Sequence, residues 1–156
     1  MKAVLIPGDG IGREIAESVR AVSEALDTGI VWQEFAAGAE YAAVEGELLQ
    51  PGLLDAIEDC GLALKGPTAT PIGKGFRSIN VQLRQRFATY ANLRPVHTLP
   101  GVKSRYDNVD VVIVRENTED LYKGIEYMLN DDIANGVKLI TRPACDKICR
   151  FAFEYA

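Results

Sequence analysis

Three arginines and one tyrosine, Arg84, Arg94, Arg115 and Tyr122, are the residues whose types and spacing point most directly to chemistry. A guanidinium is planar, permanently charged and able to pair two N–H groups with the two oxygens of one carboxylate. Three of them converging on a pocket would suit a di- or tricarboxylate. Each charge-assisted contact contributes roughly 1.5–3 kcal/mol net, so loss of any one arginine would be costly. Ser78 and Asn80 fall just before or within the first turn of a helix expected over residues 79–87, where free N–H groups also attract carboxylates. Tyr122 is suited to general-acid work, because a phenol with an ordinary pKa near 10 is protonated at neutral pH. Neighbouring arginines favour the phenolate and ease departure of that proton. The plainer alternative is that each arginine merely decorates the end of a helix or strand and that the tyrosine is structural.

The elements that must position these residues read as an α/β layer. Residues 3–6 form an apolar strand broken by Pro7-Gly8-Asp9-Gly10, after which Ile11, Ile15, Val19, Val22 and Leu26 recur at helical spacing. The turn Gly8-Asp9-Gly10-Ile11-Gly12 could present its amides to an anion or nucleotide. It is not the dinucleotide fingerprint, because its third glycine comes one place early. Further strands are expected at 30–36, 62–65, 109–114 and 137–141, and helices at 37–44, 51–59 and from Ala144 onward. Arg94 precedes Pro95 and should therefore lie in extended chain, while Arg115 ends the valine-rich strand. Ile148, Phe151, Ala152 and Tyr155 keep helical spacing to the last residues without a glycine cap. This pattern fits a helix that continues in a longer protein, or one that frays.

With 47% hydrophobic and 25% charged residues among 156, the composition is that of a globular domain rather than a disordered chain. The short apolar run at the amino terminus is too brief for a signal peptide or a membrane span, which points to a cytoplasmic or organellar protein. Three cysteines, Cys60, Cys145 and Cys149, are expected to be reduced and packed; two thiols one turn apart do not make a structural zinc site. The net charge of −5 argues against nucleic-acid or membrane surfaces. Its distribution is uneven: residues 61–106 contain no Asp or Glu but do contain Lys65, Lys74, Arg77, Arg84, Arg86, Arg94, Lys103 and Arg105. Such a segment suits a small, highly charged anion, unless acids elsewhere in the fold neutralise it.

Five stretches occur in order along the chain: residues 6–12 (IPGDGIG), 65–71 (KGPTATP), 78–84 (SINVQLR), 90–95 (YANLRP) and 114–126 (VRENTEDLYKGIE). Together they resemble the successive motifs of the β-decarboxylating dehydrogenases, the family of isocitrate, isopropylmalate, homoisocitrate and tartrate enzymes. The resemblance implies the isocitrate/isopropylmalate dehydrogenase-like α/β fold, not a Rossmann fold. It further implies a truncated chain, with residues 1–95 in the large cofactor-side domain and 96–156 opening the smaller substrate and dimerisation domain.

Carried over residue by residue, the resemblance implies that Arg84, Arg94 and Arg115 bind substrate carboxylates and that Tyr122 protonates the carbon losing carbon dioxide. Ser78 and Asn80 would meet a third carboxylate, where isopropylmalate enzymes carry apolar residues, so isocitrate is the expected substrate. Ile11, Thr70 and Asn80 would contact the cofactor, NAD in preference to NADP. Arg13 stands where the family usually has proline, and Ala69 where a second hydroxyl residue is common. Magnesium or manganese is implied, with its aspartate ligands and a lysine from a neighbouring subunit expected beyond residue 156. The resemblance therefore implies a homodimer or higher oligomer, and a fragment inactive by itself. The location it implies is cytoplasmic, or the mitochondrial matrix in a eukaryote. Homoisocitrate or 3-isopropylmalate oxidation, nucleic-acid binding by the basic stretch and the role of a non-catalytic regulatory subunit stand as alternatives.

Overall fold

The computed structural model describes residues 1–69 and 78–156, which divide into two compact units, Met1–Gln82 and Leu83–Ala156. The first is built on a parallel sheet of β1 (Lys2–Ile6), β2 (Val31–Glu34) and β3 (Ala63–Lys65), in the order β2-β1-β3. The central strand runs Ala3-Val4-Leu5-Ile6, and each of these residues is at most 1% exposed. A strand covered on both faces has no polar side, which is why this run is continuously apolar rather than alternating. Helix α1 (Gly12–Ala25) follows β1, and α2 (Ala39–Glu45) and α3 (Leu53–Cys60) lie between β2 and β3. Leu53 of α3 is fully buried and α3 packs on β1, so it and the strand form the core of this unit. The stripe expected on α1 is present but open: Ile11, Ile15, Val22 and Leu26 are all exposed, Leu26 by 70%.

The division between the units falls within α4 (Ile79–Arg86). In the second unit, β4 (Ala91–His97) and β5 (Asp110–Glu116) form an antiparallel ribbon whose register pairs Asn92 with Arg115 and Arg94 with Ile113. Extended backbone before Pro95 thus becomes a ladder strand. A hairpin follows, β6 (Glu126–Asn130) and β7 (Ile133–Gly136), closed at Asp131-Asp132, where the Asp132 amide donates to Asn130 Oδ1 at 3.0 Å.

The final helix, α5 (Arg142–Tyr155), packs on β5. Its Phe151 ring meets Tyr90 edge-on at 5.9 Å.

Three local expectations differ from the structure. The strand expected at 137–141 lies earlier, at β7. Residues 137–141 contribute a bond from the Val137 amide to Ile125 O at 2.9 Å and an isolated bridge between Leu139 and Asp120, because Leu139 pairs with the chain leading to Tyr122 rather than with the hairpin. Helix α5 begins two residues before Ala144, since Thr141 Oγ1 accepts from the Ala144 amide and Pro143 occupies the first turn, where no N–H is needed. All three cysteines are free, but only Cys60 is partly packed, with Sγ 3.6 Å from Gln33 Oε1. Cys145 and Cys149 lie on the exposed side of α5. No helix among the described residues is long and apolar enough to cross a membrane.

Candidate active site

In the first unit, the turn after β1 is locked to the loop after β3. The Asp9 amide donates to Pro67 O at 2.8 Å, and the Asp9 carboxylate accepts from the amides of Ala69 (2.6 Å), Ala39 (3.1 Å) and Glu40 (2.8 Å). Backbones approach so closely that a Cβ on Gly8 would stand 1.9 Å from Pro67 O, and one on Gly66 would stand 2.1 Å from Pro7 O. Glycine is therefore required by contact between the two loops rather than by a ligand. Ile11 ends this turn at the N-cap of α1 and is exposed. Arg13, at the position where the family usually has proline, pairs with Glu40 at 2.7 Å. Thr70, expected at the cofactor, lies outside the described residues. Ser78 immediately precedes α4, its carbonyl accepting the Gln82 amide, and Asn80 is the second residue of the helix. Both are exposed.

In the second unit, Arg84, Arg115 and Tyr122 come together. Arg115 Nη2 donates to the Tyr122 hydroxyl at 2.9 Å, and the two guanidinium carbons stand 5.2 Å (Arg84) and 5.7 Å (Arg115) from the centre of its ring. The hydrogen bond from Arg115 and that guanidinium's positive charge draw the phenol's pKa below its ordinary value near 10. Partial burial opposes the shift, and Arg84 reinforces it. Arg94 reaches the same neighbourhood through register. Side chains alternate along a strand, so Asn92 and Arg94 share a face of the ribbon. Arg115, opposite Asn92, shares it too. Arg94 Nε donates to Asn92 Oδ1 at 3.2 Å. Among the described residues, no carboxylate pairs with Arg84, Arg94 or Arg115. The acids that could have neutralised this basic stretch do not do so at these three positions, which leaves their charge available to an anion.

The segment from Arg115 to Tyr122 contains residues whose roles sequence reasoning did not assign. The Glu116 carboxylate accepts from the Thr118 amide and hydroxyl at 2.8 and 2.6 Å and from the Glu119 amide at 3.0 Å. Partial burial would raise its pKa, but the bonds from Thr118 and the amides of residues 117–119 outweigh burial and hold it below the usual carboxylate value. Glu119 is 9% exposed and receives the Thr141 amide and hydroxyl, both at 2.8 Å. Gln85 Nε2 donates to the Tyr122 carbonyl at 3.0 Å. A run of polar residues packed between an arginine and a tyrosine was the signal available. It did not say which element each would reach.

A parallel α/β layer, followed by an arginine from α4 and one from the β4–β5 ribbon gathered on a phenol, defines an α/β protein with a cluster of positive charge at its candidate site. The family model for isocitrate/isopropylmalate dehydrogenase matches residues 2–156, and the chain belongs to that family. It is 46% identical over 156 residues to isocitrate dehydrogenase [NAD] catalytic subunit 6, mitochondrial, of Arabidopsis thaliana, covering all of this chain and 42% of the relative. The chloroplastic 3-isopropylmalate dehydrogenase of Solanum tuberosum is 44% identical over 156 residues, with 44% of its length covered. A mitochondrial NAD isocitrate dehydrogenase regulatory subunit of Dictyostelium discoideum is 43% identical over 155 residues, covering 99% of this chain and 42% of the relative. The crystal structure of isocitrate dehydrogenase from Methylococcus capsulatus superposes with a TM-score of 0.92 at 40% identity, over 99% of this chain and 47% of that one. The fold is therefore that of the isocitrate/isopropylmalate dehydrogenases, as the motifs implied, and the chain spans less than half the length of these relatives.

Proposed function

We propose that the full-length protein oxidises isocitrate and decarboxylates it to 2-oxoglutarate, with NAD as the hydride acceptor. The observation that carries this reading is the pair of guanidiniums, Arg84 and Arg115, gathered on the Tyr122 phenol with no described carboxylate to neutralise them. Arg84, Arg94 and Arg115 bind substrate carboxylates, and Ser78 and Asn80 meet the third. When the carbon–carbon bond to the departing carbon dioxide breaks, its electron pair stays on the substrate. Tyr122 delivers its hydroxyl proton to that carbon. The resulting phenolate is stabilised by the donor Arg115 already directs at its oxygen. When bound, NAD would supply the nicotinamide that accepts the substrate's hydride, and Ile11, Thr70 and Asn80 are the residues of this chain that would hold it.

The divalent cation implied by the family, magnesium or manganese, finds no fit here. Among the described residues no three His, Cys, Asp or Glu side chains gather to hold one, and no step is assigned to it. We place its ligands, the catalytic lysine and the subunit contacts of a homodimer or higher oligomer in the remainder of the full-length protein. In this reading the 156 residues alone are inactive. The location in this reading is cytoplasmic, or the mitochondrial matrix in a eukaryote.

Two relatives named above keep other readings open. A 3-isopropylmalate or homoisocitrate enzyme would need an apolar or longer partner where Ser78 and Asn80 stand. A regulatory subunit would have no use for Tyr122 between two arginines. Turnover of isocitrate, homoisocitrate and 3-isopropylmalate by the full-length protein tests the assignment: isocitrate should be preferred, and preference for 3-isopropylmalate would refute it.

A further inference from the structure

We propose that Glu119 is a positioning residue for Tyr122, clamping the chain that joins Arg115 to the phenol onto the cap of α5. Arg115 is fixed by the β4–β5 ladder, so its guanidinium has a rigid base. Tyr122 has no ladder beneath it, since it sits in a single helical turn, Leu121–Lys123, outside any sheet. Apart from the bond from Gln85 to the Tyr122 carbonyl, what holds that turn is a row of ties on the preceding residues. The buried Glu119 carboxylate takes both donors of Thr141, each at 2.8 Å, and Thr141 in turn caps α5. The adjoining Asp120 amide donates to Leu139 O at 2.9 Å, and the Asn117 side chain donates to Thr89 O at 3.2 Å.

Of these ties, only the Glu119 carboxylate is both charged and buried, and it receives two donors from one residue. Leaving Thr141 with two unsatisfied donors there would release the segment from α5. The phenol would then drift from Arg115, whose own position does not depend on the clamp.

The inference rests on Tyr122 being the proton donor, and its test separates the two ideas. In full-length protein carrying carbon-labelled tyrosine, the Tyr122 ring signal is assigned with Tyr122→Phe and titrated in wild type, Glu119→Ala and Glu119→Gln. Release of the clamp should move the Tyr122 titration up toward the ordinary phenol value, near 10. It should also lower kcat by about a hundred-fold, as misplacement by about an ångström does, with KM for isocitrate nearly unchanged because the arginines stay in place. Glu119→Gln keeps the shape and one acceptor oxygen, so it should fold if Glu119→Ala does not and should show a smaller shift in the same direction. A Tyr122 titration unmoved in a folded Glu119 variant overturns the proposal. If the protein fails to turn over isocitrate at all while the titration still moves, the clamp stands and the substrate assignment falls.

Discussion

Arg115 and Tyr122, seven residues apart in sequence, are joined by a 2.9 Å hydrogen bond from guanidinium to phenol. One residue sits at the end of a ladder strand and the other in an isolated helical turn. In the proposed function this contact joins a carboxylate-binding group to the proton donor, and would couple substrate binding to protonation through one side chain.

Arg115→Met should raise the Tyr122 titration toward about 10, because it removes the donor and the charge that favour the phenolate. Since the folded-state pKa lies below the ordinary value, the stabilisation is fully present only above the unfolded value and is lost as pH falls through the folded one. Near neutrality the substitution should leave stability almost unaltered by this interaction, while the variant loses stability relative to wild type at alkaline pH. Ultraviolet phenolate absorbance and denaturant unfolding across that range would measure both effects. In the full-length enzyme, Tyr122→Phe should lower kcat by roughly 10²–10⁴, the usual worth of a positioned general acid. An unchanged kcat would remove Tyr122 from the mechanism.

Glu116 titrates in the opposite pH range. Its carboxyl is held below the ordinary 4.5, so its contribution is fully present above that value and lost as pH falls through the folded pKa. Wild type should therefore lose stability more steeply than Glu116→Gln as pH drops below about 4.5. Urea midpoints measured at stepped acid pH would show the two curves converging; parallel curves would mean that the bonds from Thr118 and Glu119 are not made in solution.

Asp9 is the knot of the first unit, receiving amides from Ala69, Ala39 and Glu40. Asp9→Ala should cost about 2 kcal/mol, the range for charge-assisted bonds discounted for partial exposure. Asp9→Asn should recover only part of that loss, because its NH₂ group turns a donor toward amide donors. Chemical denaturation of both variants checks the order, and equal stability of Asp9→Ala and wild type would dismiss the knot.

Asp120 occupies a backbone conformation, φ 65° and ψ −144°, that is natural only to glycine. Its side chain accepts the Leu121 amide at 2.8 Å and stands 3.4 Å from Lys138 Nζ. Both Asp120→Ala and Asp120→Gly lose these contacts, but only glycine relieves the backbone. The glycine variant should be more stable than the alanine variant by about 1 kcal/mol or more. The reverse order in thermal unfolding would show that the chain does not take this conformation.

The elements set by local pattern were legible without coordinates. The apolar run at residues 3–6 reads as a buried strand, the spacing from Ile11 to Leu26 as a helix, and Pro95 places Arg94 in extended chain, and the structure has all three. Residue type and placement made Arg84, Arg94, Arg115 and Tyr122 candidates, but it was the resemblance of the surrounding motifs that implied a role for each. Pairing was not legible. Residues 137–141 have strand-forming side chains, yet the ladder forms at β7, since register depends on which neighbour is within reach. Nor could the sequence assign partners to Asp9, Glu116 and Glu119, whose carboxylates look like solvated charge until the fold brings amides and Thr141 to them. Which residue types are present is a local property, and the sequence determines it outright. Which of them touch depends on backbone paths that meet only after folding, so the contact between Arg115 and Tyr122 belongs to the tertiary structure.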